Sequence, residues 1–343
     1  MLPGRAPSSC RIGPALGRYE YVASPSAVGH RLRVEQVAAV RLLVTGVRGF
    51  IGAAVATGAH ARGYDVVGVD AATDGRTLPP GVPVLLGDVT DPAAWFGELG
   101  TADAVVHCAA VHQPGQITRD PVRSIEVNLR GTRMMLEAAS AAKVRRFVHL
   151  SSAKVYGEPL HVPSSEDDLL NPVEPYGLAK AVSEQTCAYV DARSAMLCLA
   201  VRPFSVYGPG QDLSTGYVGQ LLEGWRTGGR VTLTGEPDYV RDFVHVDDVV
   251  GISLAAAETD HDVHVVNAGS GHATSLRELV SSFTSLCGDD LEVQYAPARA
   301  GTITRTLADT RRSAVLLGRP AVRLQEGLPG TLRSFTPADL VDA

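Results

Sequence analysis

Residues Val40 to Gly52 read V-R-L-L-V-T-G-V-R-G-F-I-G, and how this stretch is read decides the fold. An apolar run (Leu42, Leu43, Val44) stops at Thr45-Gly46. Two further glycines follow at three-residue spacing, Gly49 and Gly52, and an apolar helix-like segment comes after. The pattern is a strand, a tight glycine turn and a helix N-terminus. Gly46 permits the turn, Gly49 lets backbone approach a pyrophosphate, and Gly52 lets helix and strand pack closely. Free N–H groups and the positive end of the helix dipole suit two phosphates. Taken alone, the motif is equally consistent with a purely structural turn, so the rest of the chain must decide.

Outward from this stretch, apolar runs alternate with helix-like segments. The expected strands are Arg41–Thr45, Asp65–Val69, Pro83–Leu86, Ala104–Cys108, Arg146–Leu150 and Met196–Val201; the expected helices are Ile51–Ala61, Pro92–Leu99, Ile125–Ala142 and Tyr176–Ala192. Continuous apolar strands alternating with helices predict an α/β fold with a parallel sheet covered on both faces. After Pro203 the pattern loosens into glycine-rich loops. Short strands are expected at Val231–Thr234, Val263–Asn267 and Glu292–Tyr295, with helices at Tyr217–Arg226, Asp247–Glu258 and Ser275–Cys287. Ser275-Leu-Arg-Glu278 is a capping box that marks one helix start. The expected division is a nucleotide-binding domain over 39–203 and a smaller mixed α/β substrate lobe over 204–343, with some segments returning to the first domain.

Composition narrows the choice of function. The 343 residues carry a net charge of −6, which argues against a nucleic-acid or anionic-membrane partner. Cys10, Cys108, Cys187, Cys198 and Cys287 lie far apart with no C-x-x-C pair, which suits reduced thiols in a cytoplasm and gives no metal site. No apolar run approaches the roughly 18 residues of a membrane span. Residues 1–38 are rich in Pro, Gly, Ser and Arg without a sustained period, and are expected to form a mostly disordered extension with a short helix near Val34–Val40.

Several residues have the types that redox chemistry on a nucleotide-bound ligand needs. Asp70 ends the second strand, where a carboxylate can accept from both ribose hydroxyls of an adenosine and repel a 2′-phosphate, favouring NAD over NADP. Arg48, inside the turn, pulls the other way, since an arginine there can meet a phosphate. Asp88 either meets the adenine edge or closes an Asx turn in Gly87-Asp-Val-Thr-Asp91. Tyr176 and Lys180 share a helix face at i, i+4, with Pro175 fitting the first turn. A phenol is too weak an acid to serve as a base at neutral pH, and a fixed ammonium beside it, together with a positive nicotinamide ring, is expected to favour the phenolate. Ser152 follows the fifth strand, at the carboxyl edge where open α/β sheets bind ligands, and its hydroxyl could donate to a substrate oxygen.

These motifs together resemble an extended short-chain dehydrogenase/reductase of the NAD-dependent nucleotide-sugar epimerase/dehydratase family. The resemblance runs from Val40 to Leu328. T-G-V-R-G-F-I-G is similar to the family's T-G-x-x-G-F-I-G, and H-C-A-A to its H-x-A-A strand; S-S-A-K-V-Y-G, P-Y-G-L-A-K, R-P-F-S-V-Y-G-P-G and R-D-F-V-H-V-D-D follow in family order. The resemblance implies a Rossmann-type doubly wound sheet plus a C-terminal substrate lobe. It places NAD on Gly46, Arg48, Gly49, Phe50, Ile51, Asp70, Asp88 and Val89, then on Cys108, Ala109, Ala110, Asn128, Tyr176, Lys180 and Pro203. Ser152, Tyr176 and Lys180 would be catalytic. A nucleotide-sugar diphosphate would meet Arg241 and Arg299, although Arg241 could instead pair with Asp242 or Asp247. The resemblance also implies a homodimer built as a four-helix bundle from Ile125–Ala142 and Tyr176–Ala192.

The departures bear on the reaction. Dehydratases of the 4,6 type carry an Asp-Glu pair after the catalytic Ser/Thr, where this chain has Ala153 and Lys154. Ser205 replaces an Asn near the sugar, and Thr302 an Asp that touches the nucleotide ribose. Lys154 has two readings, a solvated lysine at the cleft mouth or an acid/base acting at carbon 5 as well as a substrate contact. The expected activity is epimerisation at carbon 4 through a 4-keto sugar. The alternatives are a reductase, carbon-5 chemistry through Lys154, or a nicotinamide-binding sensor without turnover.

Overall fold

The structure is a computed structural model that describes residues 39–258, 263–287, 291–298 and 302–335. The extension expected over residues 1–38 and the Arg299 contact lie outside the described residues.

In chain order the strands are β1 (Arg41–Thr45), β2 (Asp65–Asp70), β3 (Val84–Leu86), β4 (Ala104–His107), β5 (Arg146–Leu150), β6 (Leu197–Pro203), β7 (Ser205–Tyr207), β8 (Arg230–Thr234), β9 (Val240–His245), β10 (Val265–Ala268), β11 (Ala273–Ser275) and β12 (Glu292–Ala296). The helices are α1 (Phe50–Ala61), α2 (Phe96–Leu99), α3 (Pro114–Arg119), α4 (Pro121–Ile125), α5 (Thr132–Ala141), α6 (Pro175–Asp191), α7 (Gly216–Arg226), α8 (Val246–Glu258), α9 (Leu276–Cys287), α10 (Arg311–Leu317) and α11 (Leu324–Arg333).

A seven-stranded sheet in the order β10-β6-β5-β4-β1-β2-β3 is parallel throughout. The chain builds outward from β1 to β3, then returns to place β4 on the other side of β1. The crevice beyond the carboxyl ends of β1 and β4 is therefore the topological switch point, where such sheets bind ligands. Strand alternation explains the two layers. Leu42 and Val44 face one core with Val55 and Ala56 of α1 and Val249 and Ile252 of α8. Leu43 faces the other, with Met135 and Leu136 of α5 and Phe147 of β5. Both faces are dry, which is why the strands read as continuous apolar runs.

The C-terminal part has its own core around Tyr207, Leu221, Leu222, Phe243, Phe283 and Leu328. Its sheets are small, with β9 between β7 and β11, and β12 beside β8. Ser275 and Glu278 form the expected capping box: Glu278 N donates to Ser275 Oγ at 3.1 Å, and Ser275 N to Glu278 Oε2 at 2.7 Å.

Some elements differ from expectation. The segment expected as one helix over Ile125–Ala142 starts earlier, at Pro121, where Asp120 accepts from Arg123 N at 2.9 Å and caps α4. It then widens into a π turn over Glu126–Gly131 before α5 resumes. Pro92–Leu99 is a 3-10 turn followed by the short α2, because Pro92 and Gly97 leave little room for a longer helix. Strands β7, β9 and β11 and helices α10 and α11 lie where no regular element was expected.

Candidate active site

The glycine turn has the shape its spacing predicts. Gly46 has φ +68°, and a Cβ there would sit 2.7 Å from the backbone of Ala109, so the turn lies against the loop after β4. A Cβ on Gly52 would come within 2.1 Å of Gly46 O. Helix α1 makes its first bond from Ala53 N to Gly49 O, 3.0 Å, leaving the N–H groups of Phe50, Ile51 and Gly52 directed at the loop. Bare backbone, orphan N–H groups and a helix N-terminus fit a pyrophosphate. Asp70 braces this cradle: Oδ2 accepts from Arg48 N at 2.8 Å and Oδ1 from Ala72 N at 2.9 Å. Each oxygen keeps a lone pair with which to meet a ribose hydroxyl. Arg48 Nε is buried and has no hydrogen-bond partner among the described residues.

Asp88 takes the turn alternative. Its Oδ1 accepts from both Thr90 N and Thr90 Oγ1, at 2.9 and 2.8 Å, and its Oδ2 is paired with Arg123. Val89 beside it is buried. The loop Cys108–Ala110 is shaped by Asn128, which is fully buried. Asn128 Oδ1 accepts from Val111 N at 2.8 Å and its Nδ2 donates to Val111 O at 2.7 Å. Its backbone oxygen accepts from Thr132 Oγ1 and Ser183 Oγ, at 2.9 and 3.0 Å. These bonds fix the π turn and tie it to α6. Asn128 thus acts on the cofactor side by holding a loop.

Ser152 follows β5 and caps a 3-10 turn over Ala153–Tyr156, its Oγ accepting from Lys154 N at 3.2 Å. Lys180 is 1% exposed; its Nζ donates to Leu150 O at 2.5 Å and lies 5.8 Å from the Tyr176 ring centroid. Lys180 therefore pins α6 to the end of the strand that delivers Ser152, bringing Ser152, Tyr176 and Lys180 to one sheet edge. Burial lowers Lys180 to about 8. The protein's own surroundings raise rather than lower the Tyr176 phenol, before any contribution from a nicotinamide. Burial first, and the Glu174 carboxylate second, push it above its ordinary value. The Lys180 ammonium itself is held by the Leu150 carbonyl.

Lys154 is half-exposed and ion-paired. Its ammonium forms an ion pair with Glu174, the residue before α6, and lies 5.9 Å from the Tyr176 centroid. Behind this edge is a buried polar network that the motif reading missed. Arg202 Nε and Nη2 donate to Glu184 at 2.7 to 3.2 Å, its Nη1 donates to Tyr156 Oη at 2.7 Å, and Ser151 Oγ donates to Glu184. Tyr156 Oη donates in turn to Asn267 Oδ1 at 2.6 Å. The strand end, α6, β6 and β10 are locked together just behind Ser152.

On the substrate side, Pro203 ends β6 and Ser205 begins β7, half-buried. Arg241 is buried and pairs with neither Asp242 nor Asp247. Its Nη1 donates to Val240 O and Thr304 O and its Nη2 to Ile303 O, at 2.7 to 3.1 Å. Asp242 accepts instead from Ser270 N, Ser270 Oγ, Gly271 N and Ala308 N. Glu158 clasps the same segment, accepting from Thr304 N at 2.7 Å. The loop next to Thr302 is thus held from two sides. Gln113 Nε2 donates to Asp212 Oδ2 at 2.5 Å, and the Arg76 guanidinium lies 5.9 Å from the Phe50 ring. Of these residues, Gln113, Asp212 and Arg76 carried no motif signal.

A glycine cradle at the switch point, a strand-end serine and a Tyr–Lys helix thus lie along one edge of the parallel sheet. Comparison with known proteins makes the family explicit. The model of the NAD dependent epimerase/dehydratase family matches residues 42–269, and the chain belongs to that family. A UDP-glucose 4-epimerase of Mycolicibacterium smegmatis is 33% identical over 309 residues, covering 86% of this chain and 98% of that protein. A UDP-glucose 4-epimerase of Thermotoga maritima solved with UDP-glucose superposes with a TM-score of 0.81 at 30% identity, over 86% of this chain and 98% of its own. A Thermus thermophilus UDP-glucose 4-epimerase in complex with NAD gives a TM-score of 0.78 at 30% identity, over 87% and 100%.

Proposed function

We propose that this chain is a NAD-dependent 4-epimerase of a UDP-activated hexose. The observation that carries the reading is the gathering of Ser152, Tyr176 and Lys180 at one strand end, with Ala153 and Lys154 in place of a dehydratase's carboxylates. NAD, bound on the glycine cradle, supplies a reversible two-electron oxidation at the sugar carbon. Tyr176 takes the proton of the 4-hydroxyl and Ser152 donates to the same oxygen, so the carbonyl that forms is held by two groups. Lys180 orders the edge and presents its ammonium towards the nicotinamide ribose. The 4-keto sugar turns in the lobe and is reduced from its other face, with Tyr176 returning the proton. The UDP group is supported by the relatives, whose names specify it.

The same reading includes a homodimer. Val122 and Ile125 of α4 and Leu178, Val182 and Tyr189 of α6 are exposed apolar residues on the two helical segments expected to form a four-helix bundle. Among the described residues no helix is long and apolar enough to cross a membrane. Cys108, Cys187, Cys198 and Cys287 are free thiols, which suits a cytoplasmic setting.

The test is incubation of the purified protein with UDP-glucose, UDP-N-acetylglucosamine and UDP-glucuronate, with products read by NMR. A 4-epimer is expected from at least one, and Tyr176→Phe is expected to lower turnover by about 100-fold or more while retaining NAD. Failure to form any 4-epimer overturns the reading. Solvent deuterium appearing at carbon 5 would move the chemistry to Lys154, and net consumption of reduced cofactor would mark a reductase.

A further inference from the structure

The mechanism above uses Tyr176 but leaves the Lys154–Glu174 pair beside it without a task. The two residues come from different elements. Lys154 stands in the turn that Ser152 caps, and Glu174 precedes α6 by one residue. The elements are pressed together: a Cβ on Gly177 would lie 2.6 Å from Lys154 O. The Lys154 ammonium is 5.9 Å from the Tyr176 ring centroid, almost the same as the 5.8 Å of Lys180. An ammonium at that range favours the phenolate and a carboxylate opposes it; here the Glu174 carboxylate raises the phenol, and the Lys154 ammonium paired with it is placed to offset that.

We propose that Lys154 and Glu174 act as joint positioning residues for Tyr176, holding opposite charges beside its ring so that the pair sets the pH at which the phenol becomes a base. This rests on the reading of Tyr176 as proton acceptor. Other titratable groups at this edge, within electrostatic reach of Lys180 or on its helix, do not supply the same control. Cys108, on the loop after β4, is kept a neutral thiol by burial, which pushes it up to about 12. His112, on the same loop, is held below its ordinary value by burial, against the pull of Asp212. Lys180, on the same helix as Tyr176, is committed to Leu150 O. Among the described residues at this edge, Lys154 and Glu174 combine fixed opposite charges with partial exposure, at 44% and 38% of their side chains.

The partial exposure limits the effect. A unit charge about 6 Å away, screened by water on one side, moves a titration by about 0.5 to 1 pH unit. The experiment is the pH profile of kcat/KM for the NAD-loaded protein with its nucleotide sugar. Glu174→Gln removes the opposing charge, so the acid limb moves to lower pH by that amount. Lys154→Met leaves the carboxylate unopposed, so the limb moves up by a similar amount. The double variant returns close to the wild-type profile. Single variants that move the limb the same way, or that lower the rate with the limb unmoved, overturn the proposal and leave the pair a purely structural contact. The same order must hold for the Tyr176 phenolate absorbance, read without turnover as the difference between each variant and that variant carrying Tyr176→Phe. If Tyr176→Phe keeps full epimerisation, the reading of Tyr176 fails; if Tyr176 is required but neither titration moves, this proposal alone fails.

Discussion

Replacing Glu184 by alanine probes what keeps the catalytic edge in place. Glu184 and Arg202 are 5% and 3% exposed, and the carboxylate is the acceptor for Arg202 Nε, Arg202 Nη2 and Ser151 Oγ. Without it, Arg202 retains only Tyr156 Oη and Glu166 O as acceptors, through Nη1. Two guanidinium nitrogens and one hydroxyl are then buried without a partner. Removing one partner of a buried ion pair costs about 3 to 5 kcal/mol. The orphaned Ser151 hydroxyl adds about 1 kcal/mol. Urea denaturation of the variant should therefore show a loss of about 4 to 6 kcal/mol. Glu184→Gln keeps an acceptor and should lose less. The pair Glu184→Leu with Arg202→Met removes both charges and should recover most of the loss, because the main penalty is the uncompensated guanidinium. Since Ser151 adjoins Ser152, kcat of Glu184→Ala should fall as well. A loss below about 1 kcal/mol, or a double variant less stable than Glu184→Ala, would refute this account of the network.

Three further outcomes follow from the site. Gly52→Ala drives a methyl group into Gly46 O, so the protein should purify folded but without NAD, which absorbance and mass spectrometry of the released cofactor would show. Asn128→Ala frees the loop after β4 and should weaken NAD binding by about tenfold in calorimetry, the value of roughly one buried hydrogen bond. Burial lowers the Lys180 pKa from its ordinary 10.5 to about 8, so the unfolded chain binds more protons than the folded one between those values. Stability contributed by this group should accordingly rise with pH across that window, by about 3 kcal/mol. Lys180→Met should remove this rise, seen as the difference between the two proteins' stability–pH curves.

The parts of the fold that sequence made legible are those governed by local periodicity. The strands of the main sheet are buried on both faces, so their apolar runs stand out, and the glycines at 46 and 52 are required by backbone proximity that no side chain tolerates. Ser152, Tyr176 and Lys180 could be picked out because strand ends and helix spacing fix where they go. What escaped depends on partners distant in sequence. Strand β9 reads as V-R-D-F-V-H, with an arginine and an aspartate in its middle, and both are buried through bonds to segments after residue 265. The π turn at Glu126–Gly131 leaves no mark on a helical pattern, since it shifts register by a single residue. The Lys154–Glu174 pair joins two elements whose contact is set by the fold. Helix spacing places Lys180 beside Tyr176 but does not reveal the carbonyl of Leu150 that holds the ammonium.

The order of the main sheet has a consequence for how this chain is made. After β6 the polypeptide leaves the sheet, builds β7, β8 and β9, and re-enters it only at β10, which pairs with β6. Helix α8 packs into the core under β1 and β5, and its Asp248 binds Arg319 and Val322 N from much later in the chain. A nascent chain released only as far as Pro203 has an open β6 edge and an uncovered apolar face. Such unpaired edges are where growing chains aggregate. The nucleotide-binding half therefore cannot mature on the ribosome ahead of the rest; it should wait for about a hundred further residues, and a fragment ending at residue 203 should be recovered as insoluble protein.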